Sequence, residues 1–311
     1  MRADQIARVN TAFDEPVVVR RSALAYREFR GEYCVRRIPV VLVGAISAWP
    51  ALTKWSPSFF RTRFGTREVA VSEARYTDGA SGPQDRQFRL GDLIALIEES
   101  TDSDPAPYLR NQSVPRLSPE LDEDLRPLPE YFFPNWIEGR LARRLHARLD
   151  YNGPELHFGG RGAAFPSLHF DYCYVHTFLA QIYGEKKVIL FTPDQSEFLY
   201  PEAESRHHGS LIPDINHVDL KRFPKFAQAT PTTVTLEPGE VLFIPAGWWH
   251  TTRLLSTSIS VSFEYANETN WSDLTRECRY QMPLLPALKM TVYLRFLRLI
   301  RSAAQLVNSH G

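Results

Sequence analysis

The chain has 311 residues, of which 43% are hydrophobic and 23% charged, and its formal net charge at neutral pH is zero. This composition is typical of a globular protein, and the zero net charge argues against binding to nucleic acid through a strong basic field. The N-terminus lacks a signal peptide's apolar core, and no apolar run reaches transmembrane length. We therefore expect a cytoplasmic protein with no membrane partner. Its three cysteines predict no disulfide framework: Cys34, Cys173 and Cys278.

The first half of the chain mixes helix and strand patterns. Apolar residues recur at helical or alternating spacing in several short segments. The predicted elements are strands at 38–44 and 68–72 and helices at 57–64, 89–98 and 136–149. Residues 115–134 are rich in proline and acidic residues, which predicts an irregular crossing segment.

From about residue 150 the pattern changes to short, closely spaced strands. The turns between them carry glycine and proline. The predicted strands cover 155–158, 169–171, 177–183, 187–192, 232–236, 240–244 and 258–265. Many short strands joined by such turns are typical of a β-sandwich or β-barrel.

The last forty residues change character again. Residues 286–301 predict a helix on which Arg295, Arg298 and Arg301 recur three apart. This helix could cover the barrel, mediate homodimerisation or, less favourably, lie on a membrane surface. We therefore divide the chain into a catalytic domain at 1–271 and a C-terminal helical segment at 272–311, a possible dimerisation element. Within the domain, an N-terminal α/β elaboration reaches about residue 149 and the barrel core begins at about residue 150.

Three residues, His169, Asp171 and His250, form the most informative pattern in the chain. Two imidazoles and one carboxylate, with a His-x-Asp pair among them, are the ligand set of mononuclear non-haem iron(II) oxygenases. Residues i and i+2 of a β-strand point to the same face, so a strand at 169–171 would direct both side chains at one ion. His250 would complete the set from a neighbouring strand. A His-x-Asp pair alone is weak evidence, because a histidine on an apolar face is usually an ordinary core residue.

Lys186 follows the predicted turn at Gly184 and is in phase with the apolar residues Val188 and Leu190. This phase predicts a lysine that points into the barrel, where an ammonium without a partner is unfavourable. A bound dicarboxylate would provide the partner. The alternative is that Lys186 and Lys187 are solvated turn residues.

Ordered motifs over roughly residues 30–270 resemble the JmjC, or cupin-like, iron(II)/2-oxoglutarate oxygenases. The resemblance is greatest to the hydroxylase branch that contains the asparaginyl hydroxylase of hypoxia-inducible factor. The motifs are Tyr108-Leu109, Gly159-Gly-Arg-Gly162, His169-Phe-Asp171, Gln181-Ile-Tyr-Gly-Glu-Lys186, Pro193-Asp-Gln195, Leu199-Tyr-Pro201 and the segment from Pro245 to His250. The resemblance implies a mainly β fold with flanking helices around a double-stranded β-helix core, which is a cupin-like jelly roll.

The resemblance also implies roles for individual residues. His169, Asp171 and His250 would bind Fe(II) as the catalytic centre. Lys186 would pair with the distal carboxylate of 2-oxoglutarate, and Tyr108 would donate a hydrogen bond to it. Three further candidates for contact with the cosubstrate are Ser167, Thr177 and Ser262.

One departure from the family lies next to the first metal ligand. The family often has threonine three residues before its first iron-binding histidine, where this chain has Pro166. Ser167 stands beside it and could supply the hydroxyl.

The activity implied by the resemblance is that of a dioxygenase. It would use Fe(II), 2-oxoglutarate and O2 to hydroxylate an unactivated C–H bond. We expect a peptide or protein side chain as the substrate, because that is the commonest activity in this branch, and no nucleic-acid partner. The alternatives are a hydroxylase of a small-molecule natural product or amino acid, a non-catalytic JmjC-like binding module, and a cupin that uses another metal without a keto acid.

Overall fold

The computed structural model describes residues 18–71, 86–138, 153–165, 167–202 and 209–281, together with positions 292, 295, 296, 299 and 300. The strands of this part are β1 (Arg20–Ser22), β2 (Val40–Val43), β3 (Glu68–Val71), β4 (Arg86–Arg89), β5 (Leu109–Ser113), β6 (Glu155–Gly159), β7 (His176–Tyr183), β8 (Lys186–Phe191), β9 (Thr232–Leu236), β10 (Glu240–Ile244), β11 (Trp249–Leu254) and β12 (Ser258–Tyr265). The α-helices are α1 (Tyr26–Glu28), α2 (Ala51–Lys54), α3 (Pro57–Phe64), α4 (Leu90–Glu99), α5 (Val114–Leu117), α6 (Pro119–Glu123) and α7 (Trp271–Gln281). A π-helix at Phe29–Val35 follows α1, and short 3-10 helices cover Glu130–Phe132, Tyr172–Tyr174, Pro193–Phe198 and Pro224–Gln228.

The larger sheet has the strand order β1-β2-β10-β7-β12-β6-β5. Its pairs are antiparallel except for β1 and β2, which run parallel. The N-terminal half of the chain therefore contributes strands at both edges of this sheet. The predicted N-terminal elaboration and the barrel core share one sheet.

The smaller sheet of the core has the order β11-β8-β9 and is antiparallel throughout. Strands β3 and β4 form a separate two-stranded sheet. A tight turn at Gly184 connects β7 of the larger sheet to β8 of the smaller one. Gly184 has a φ of +66°, and a Cβ there would lie 1.9 Å from the carbonyl oxygen of Thr257. Only glycine fits this turn. From β8, Lys186 reaches Ser260 on β12, so the two sheets face each other, as in a jelly roll.

Alternate residues of β12 serve two different faces of the larger sheet. Those that pack into the main core with the N-terminal helices are Ile259, Val261, Phe263 and Tyr265. Those on the opposite face, which points into the space between the sheets, are Ser258, Ser260, Ser262 and Glu264. The strict alternation in the sequence therefore corresponds to a packed face and a polar, cavity-lining face.

Several predicted elements occur at the predicted bounds: the strands at 232–236, 240–244 and 258–265 and the helix at 57–64. The prediction of an irregular segment at 115–134 is wrong in part, because α5, α6 and a 3-10 helix lie there. Two of the prolines on which that prediction depended, Pro115 and Pro119, occupy the first turns of α5 and α6. Proline is favoured at that position because its missing N–H has no helical partner there.

Two predicted helices fall largely outside the described residues. They are the helix at 136–149 and the C-terminal helix at 286–301, of which positions 292, 295, 296, 299 and 300 are described and helical. The predicted dimerisation role of residues 272–311, of which 272–281 lie in α7, stays a prediction. Among the described residues, no helix combines the length and apolar character needed to cross a membrane.

Candidate metal and cosubstrate site

His169, Asp171 and His250 meet at one point in the space between the sheets. The Nε2 atoms of His169 and His250 lie 3.9 Å and 3.7 Å from Asp171 Oδ1, and the three potential ligand atoms all lie within 4.8 Å of one another. Reciprocal backbone hydrogen bonds between the two histidines, of 3.1 Å and 2.6 Å, hold their segments together. The three side chains fit a single metal ion bound on one face.

The second nitrogen of each ring fixes the direction of the first. Nδ1 of His169 lies 3.1 Å from the carbonyl oxygen of Ser167, and Nδ1 of His250 lies 3.1 Å from that of Trp248. A hydrogen bond from Nδ1–H to a carbonyl leaves Nε2 with its lone pair available for a metal. Burial, with the neighbouring His250, lowers the pKa of His169 to about 3. The ring is therefore neutral, which is the form that binds metals.

Asp171 is hydrogen-bonded to Thr177, the second residue of β7. Thr177 Oγ1 donates a 2.6 Å hydrogen bond to Asp171 Oδ2, while Oδ1 faces the two histidines. The hydroxyl thus orients the carboxylate as the Ser167 and Trp248 carbonyls orient the rings. The structure therefore shows Thr177 in contact with Asp171, and its contact with the cosubstrate stays a prediction.

The segment that carries His169 and Asp171 is not a regular strand. His169 forms isolated bridges with Gly209 and His250, and the chain then turns through a 3-10 helix in which Cys173 has a φ of +56°. The predicted strand at 169–171 is therefore wrong as an element. The extended backbone and the bridge to His250 still bring the two side chains to one ion.

Lys186 lies deeper in the same space. Its side chain is 1% exposed, and Nζ donates hydrogen bonds to Ser260 Oγ and, at 3.3 Å, to the hydroxyl of Tyr108. Burial lowers the pKa of Lys186 to about 7. Among the described residues no carboxylate forms an ion pair with this ammonium, so its neighbourhood favours an incoming anion.

A second polar group near Lys186 is a buried hydroxyl that has no hydrogen-bond partner among the described residues. Thr252 lies two residues after His250 on β11 and is buried. Its Oγ1 is close to the Tyr108 hydroxyl but makes no hydrogen bond of acceptable geometry in the described residues. An unsatisfied buried hydroxyl is unfavourable. A carboxylate that accepts from Lys186, Tyr108 and Thr252 would satisfy it, so this pocket fits the distal carboxylate of 2-oxoglutarate.

His157 is a cavity residue that the sequence analysis missed. It is 7% exposed, and its Nε2 lies 2.9 Å from Ser262 Oγ. Burial and the nearby ammonium of Lys186 hold the pKa of His157 well below its usual range, so the ring is neutral. The available signal was its position two residues after Glu155 on a strand whose alternate residues are apolar.

The remaining predicted residues are placed at the edges of this pocket. Ser167 contributes its backbone carbonyl to His169, and the hydroxyl of Ser262 bonds to His157. Pro166 lies outside the described residues. Contact between the cosubstrate and Ser167, Thr177 or Ser262 stays a prediction.

Comparison with known proteins gives a family match over most of the chain. A family model described as a cupin-like domain matches residues 26–270. The match includes His169, Asp171 and His250 and every strand of the two facing sheets except β1.

Three relatives illustrate the range of similar proteins. The chain is 35% identical over 238 residues to lysine-specific demethylase 8 of Xenopus tropicalis, with 76% of this chain and 49% of the relative covered. It is 29% identical over 280 residues to the human bifunctional peptidase and (3S)-lysyl hydroxylase JMJD7, with 81% and 82% covered. It is 28% identical over 261 residues to the tRNA wybutosine-synthesizing protein 5 of Gallus gallus, with 78% and 73% covered. The chain spans about half the length of the demethylases from Xenopus tropicalis and Danio rerio.

Proposed function

This chain belongs to the family of cupin-like JmjC proteins, and from that premise we propose that it is an Fe(II)- and 2-oxoglutarate-dependent dioxygenase. The observation that carries the proposal is the pairing of two features in one cavity. The His169–Asp171–His250 triad fits a metal, and the buried ammonium of Lys186 has no acidic partner among the described residues. A dicarboxylate that reaches from the metal to Lys186 would satisfy both.

Different residues of this chain would have different roles in such a reaction. His169, Asp171 and His250 would hold the metal, which when bound with 2-oxoglutarate and O2 supplies the oxidising chemistry. Thr177 keeps Asp171 aligned by its hydrogen bond to Oδ2. Lys186 and the hydroxyls of Tyr108 and Thr252 would anchor the far carboxylate of the cosubstrate, which leaves its keto acid end at the metal.

The triad also bears on the type of reaction. His169, Asp171 and His250 would hold the metal with three protein ligands, one of them a carboxylate, and would leave it open to cosubstrate and oxygen. This ligand set suits hydroxylation. We propose a peptide or protein side chain as the substrate. The similar proteins include one named a lysyl hydroxylase and others named lysine-specific demethylases, which supports a protein substrate.

The test is formation of succinate from 2-oxoglutarate. Purified protein with Fe(II), ascorbate and 2-oxoglutarate should form succinate slowly without substrate, and more quickly with a peptide substrate from a screen. The Asp171→Ala variant should form none. A native protein that binds Fe(II) but forms no succinate would favour a binding module, and metal-dependent activity indifferent to 2-oxoglutarate would favour a different cupin.

A further inference from the structure

His176, the first residue of β7, is fully buried and does not belong to the metal triad. Its ring packs against Phe243 and Tyr265 of the main core. The next residue, Thr177, is on the cavity face of the sheet and donates to Asp171. Adjacent residues of a strand point to opposite faces of the sheet, so His176 can act on the metal site only through other residues.

Hydrogen bonds fix the position of the proton on the His176 ring. The backbone N–H of Ala246, which is also buried, donates a 2.9 Å hydrogen bond to Nδ1. Nδ1 therefore carries no proton, and Nε2–H donates to the hydroxyl of Thr269, 2.9 Å away. That hydroxyl donates in turn to Asn267 Oδ1 at 2.6 Å. Burial lowers the pKa of His176 to about 3, so this arrangement of protons holds at neutral pH and leaves neither ring nitrogen for a metal.

Ala246 belongs to the turn at 245–248, which leads directly to the metal ligand His250. The N–H of Trp248 closes this turn by a 3.2 Å hydrogen bond to the carbonyl three residues earlier. Gly247, the third residue of the turn, has a φ of +83°, which suits a type II β-turn. At the end of the turn, the carbonyl of Trp248 accepts from Nδ1–H of His250 at 3.1 Å. A shift of the turn would therefore move the atom that fixes the direction of the His250 ring.

A second contact reaches the same turn from the N-terminal part of the chain. The indole N–H of Trp248 donates to the carbonyl oxygen of Arg37 at 2.9 Å. Arg37 has a φ of +54°, in the left-handed region that residues other than glycine seldom adopt. Its guanidinium donates to the carbonyl of Thr269 at 3.0 Å and to the carboxylate of Asp273. The contacts of His176 and of Arg37 therefore meet at Thr269, two residues before α7 begins.

We propose that His176 is a positioning residue for the metal ligand His250. By accepting from Ala246 it holds the turn at 245–248 in place, so that the carbonyl of Trp248 keeps the His250 ring directed at the metal. This inference rests on the proposed function, since it requires His250 to bind the metal. It differs from a role in core packing because it depends on one nitrogen of His176 and not on the shape of the ring.

Two amide substitutions separate the two hydrogen bonds of the His176 ring. His176→Asn places its oxygen near the position of Nδ1 and keeps the bond from Ala246, whereas His176→Gln places its amide nitrogen near the position of Nε2 and keeps only the bond to Thr269. In a competition assay with a metal indicator, His176→Gln should bind Co(II) about tenfold more weakly than the native protein, and His176→Asn should stay within about threefold of it. His217→Gln, at an exposed histidine paired with Asp214, is the control and should bind as the native protein does.

Proton NMR of the Co(II) protein shows whether the effect is specific to one ligand. The Nδ1–H protons of His169 and His250, each held by a carbonyl oxygen, should give two hyperfine-shifted signals that vanish in deuterium oxide. His176→Gln should shift or broaden one signal and leave the other in place. Trp248→Phe, which deletes the hydrogen bond to Arg37, should alter the same signal. A general loss of structure would move both.

The native protein and the variants separate failure of this inference from failure of the proposed function. The inference is wrong if His176→Gln binds Co(II) as the native protein does, if His176→Asn and His176→Gln lose affinity equally, or if both signals move together. In each of these cases the native protein still binds Co(II), so the proposed function stands. If the native protein binds no Co(II) and shows neither signal, the assignment of His250 to the metal fails, and the proposed function fails with it.

Discussion

The two ends of the cavity between the sheets carry charges of opposite sign. The deep end has the ammonium of Lys186, surrounded by the hydroxyls of Tyr108, Thr252 and Ser260. The metal end has the carboxylates of Asp171, Glu155 and Glu264. The deep end has donors without an anion, and the metal end has acceptors without a cation.

Strands β6 and β12 contribute residues to both ends. On β12, Ser260 faces Lys186 and Glu264 lies four residues further along the same face; on β6, His157 and Glu155 are two residues apart. A dicarboxylate that enters this cavity meets an ammonium and hydroxyl donors at the deep end and acidic side chains at the metal end. The difference between the ends therefore favours the orientation that places one carboxylate of an anionic cosubstrate at Lys186.

The largest expected effect comes from removal of the deep charge. Lys186→Met should weaken binding of 2-oxoglutarate about 100-fold, because a buried carboxylate would lose its charged partner. The same substitution should raise the free energy of unfolding of the ligand-free protein, since a buried ammonium without an acidic partner is replaced by an apolar group. Calorimetric titration and urea unfolding measure the two quantities.

The neighbouring lysine provides the control for this experiment. Lys187 is on the opposite face of β8 and is only half-buried, so Lys187→Met should change neither quantity appreciably. Equal losses of 2-oxoglutarate affinity in the two variants would remove the distinction between the ends of the cavity.

A smaller effect is expected at the metal end from the support of Asp171. Thr177→Val keeps the shape of the side chain but deletes the 2.6 Å hydrogen bond to Oδ2. Loss of such a support commonly weakens metal binding 10–100-fold, which a competition assay with a metal indicator measures. Thr235→Val, on β9, is the control and should bind Fe(II) as the native protein does. An unchanged affinity in Thr177→Val would assign the hydroxyl a purely structural role.

A further expected effect concerns pH and the two glutamates. Their pKa values of about 7 and about 8 in the folded protein lie above the ordinary glutamate value of 4.5, so the folded state binds more protons than the unfolded state between these limits. The contribution of the two glutamates to the free energy of unfolding of the metal-free protein should therefore fall as pH rises from about 5 to 8, by at most about 1.4 kcal/mol per pH unit for each proton. The buried neutral histidines, His157 and His169 among them, contribute with the opposite sign below their ordinary pKa of 6.5.

The double variant Glu155→Gln/Glu264→Gln tests this pH dependence. The unfolding free energy of the native protein minus that of this variant should fall as pH rises from about 5 to 8, as measured by urea denaturation at each pH. A difference that does not change with pH would place the titration on other groups and would contradict the unpaired state of the two carboxylates.

Several strand bounds and the turn between the two sheets could be predicted from local sequence patterns. The alternation of residues 258–265 gave both the bounds of β12 and its polar face, and Gly184 marked the turn between the sheets. The association of His169, Asp171, His250 and Lys186 was implied by the resemblance of the ordered motifs to a known family. The bounds of β12 and the turn at Gly184 depend on residues close in sequence.

The features of the cavity that could not be predicted from the sequence depend on contacts between segments that are distant in the chain. The site of His157 is defined by Ser262 and Lys186, neither of which is near it in the chain. Glu155 and Glu264 meet only because β6 pairs with β12. The segment at 169–171 carries no regular strand because its partners, Gly209 and His250, form single bridges rather than a ladder.

The most direct test of the central claim is the absorption spectrum of the protein with Fe(II) and 2-oxoglutarate in the absence of oxygen. The native protein should show a metal-to-ligand charge-transfer band at one equivalent of each, and His169→Ala should abolish it. Lys186→Met should give the same band only at about 100-fold higher 2-oxoglutarate. A native protein that binds Fe(II) but shows no band at saturating 2-oxoglutarate would contradict the account.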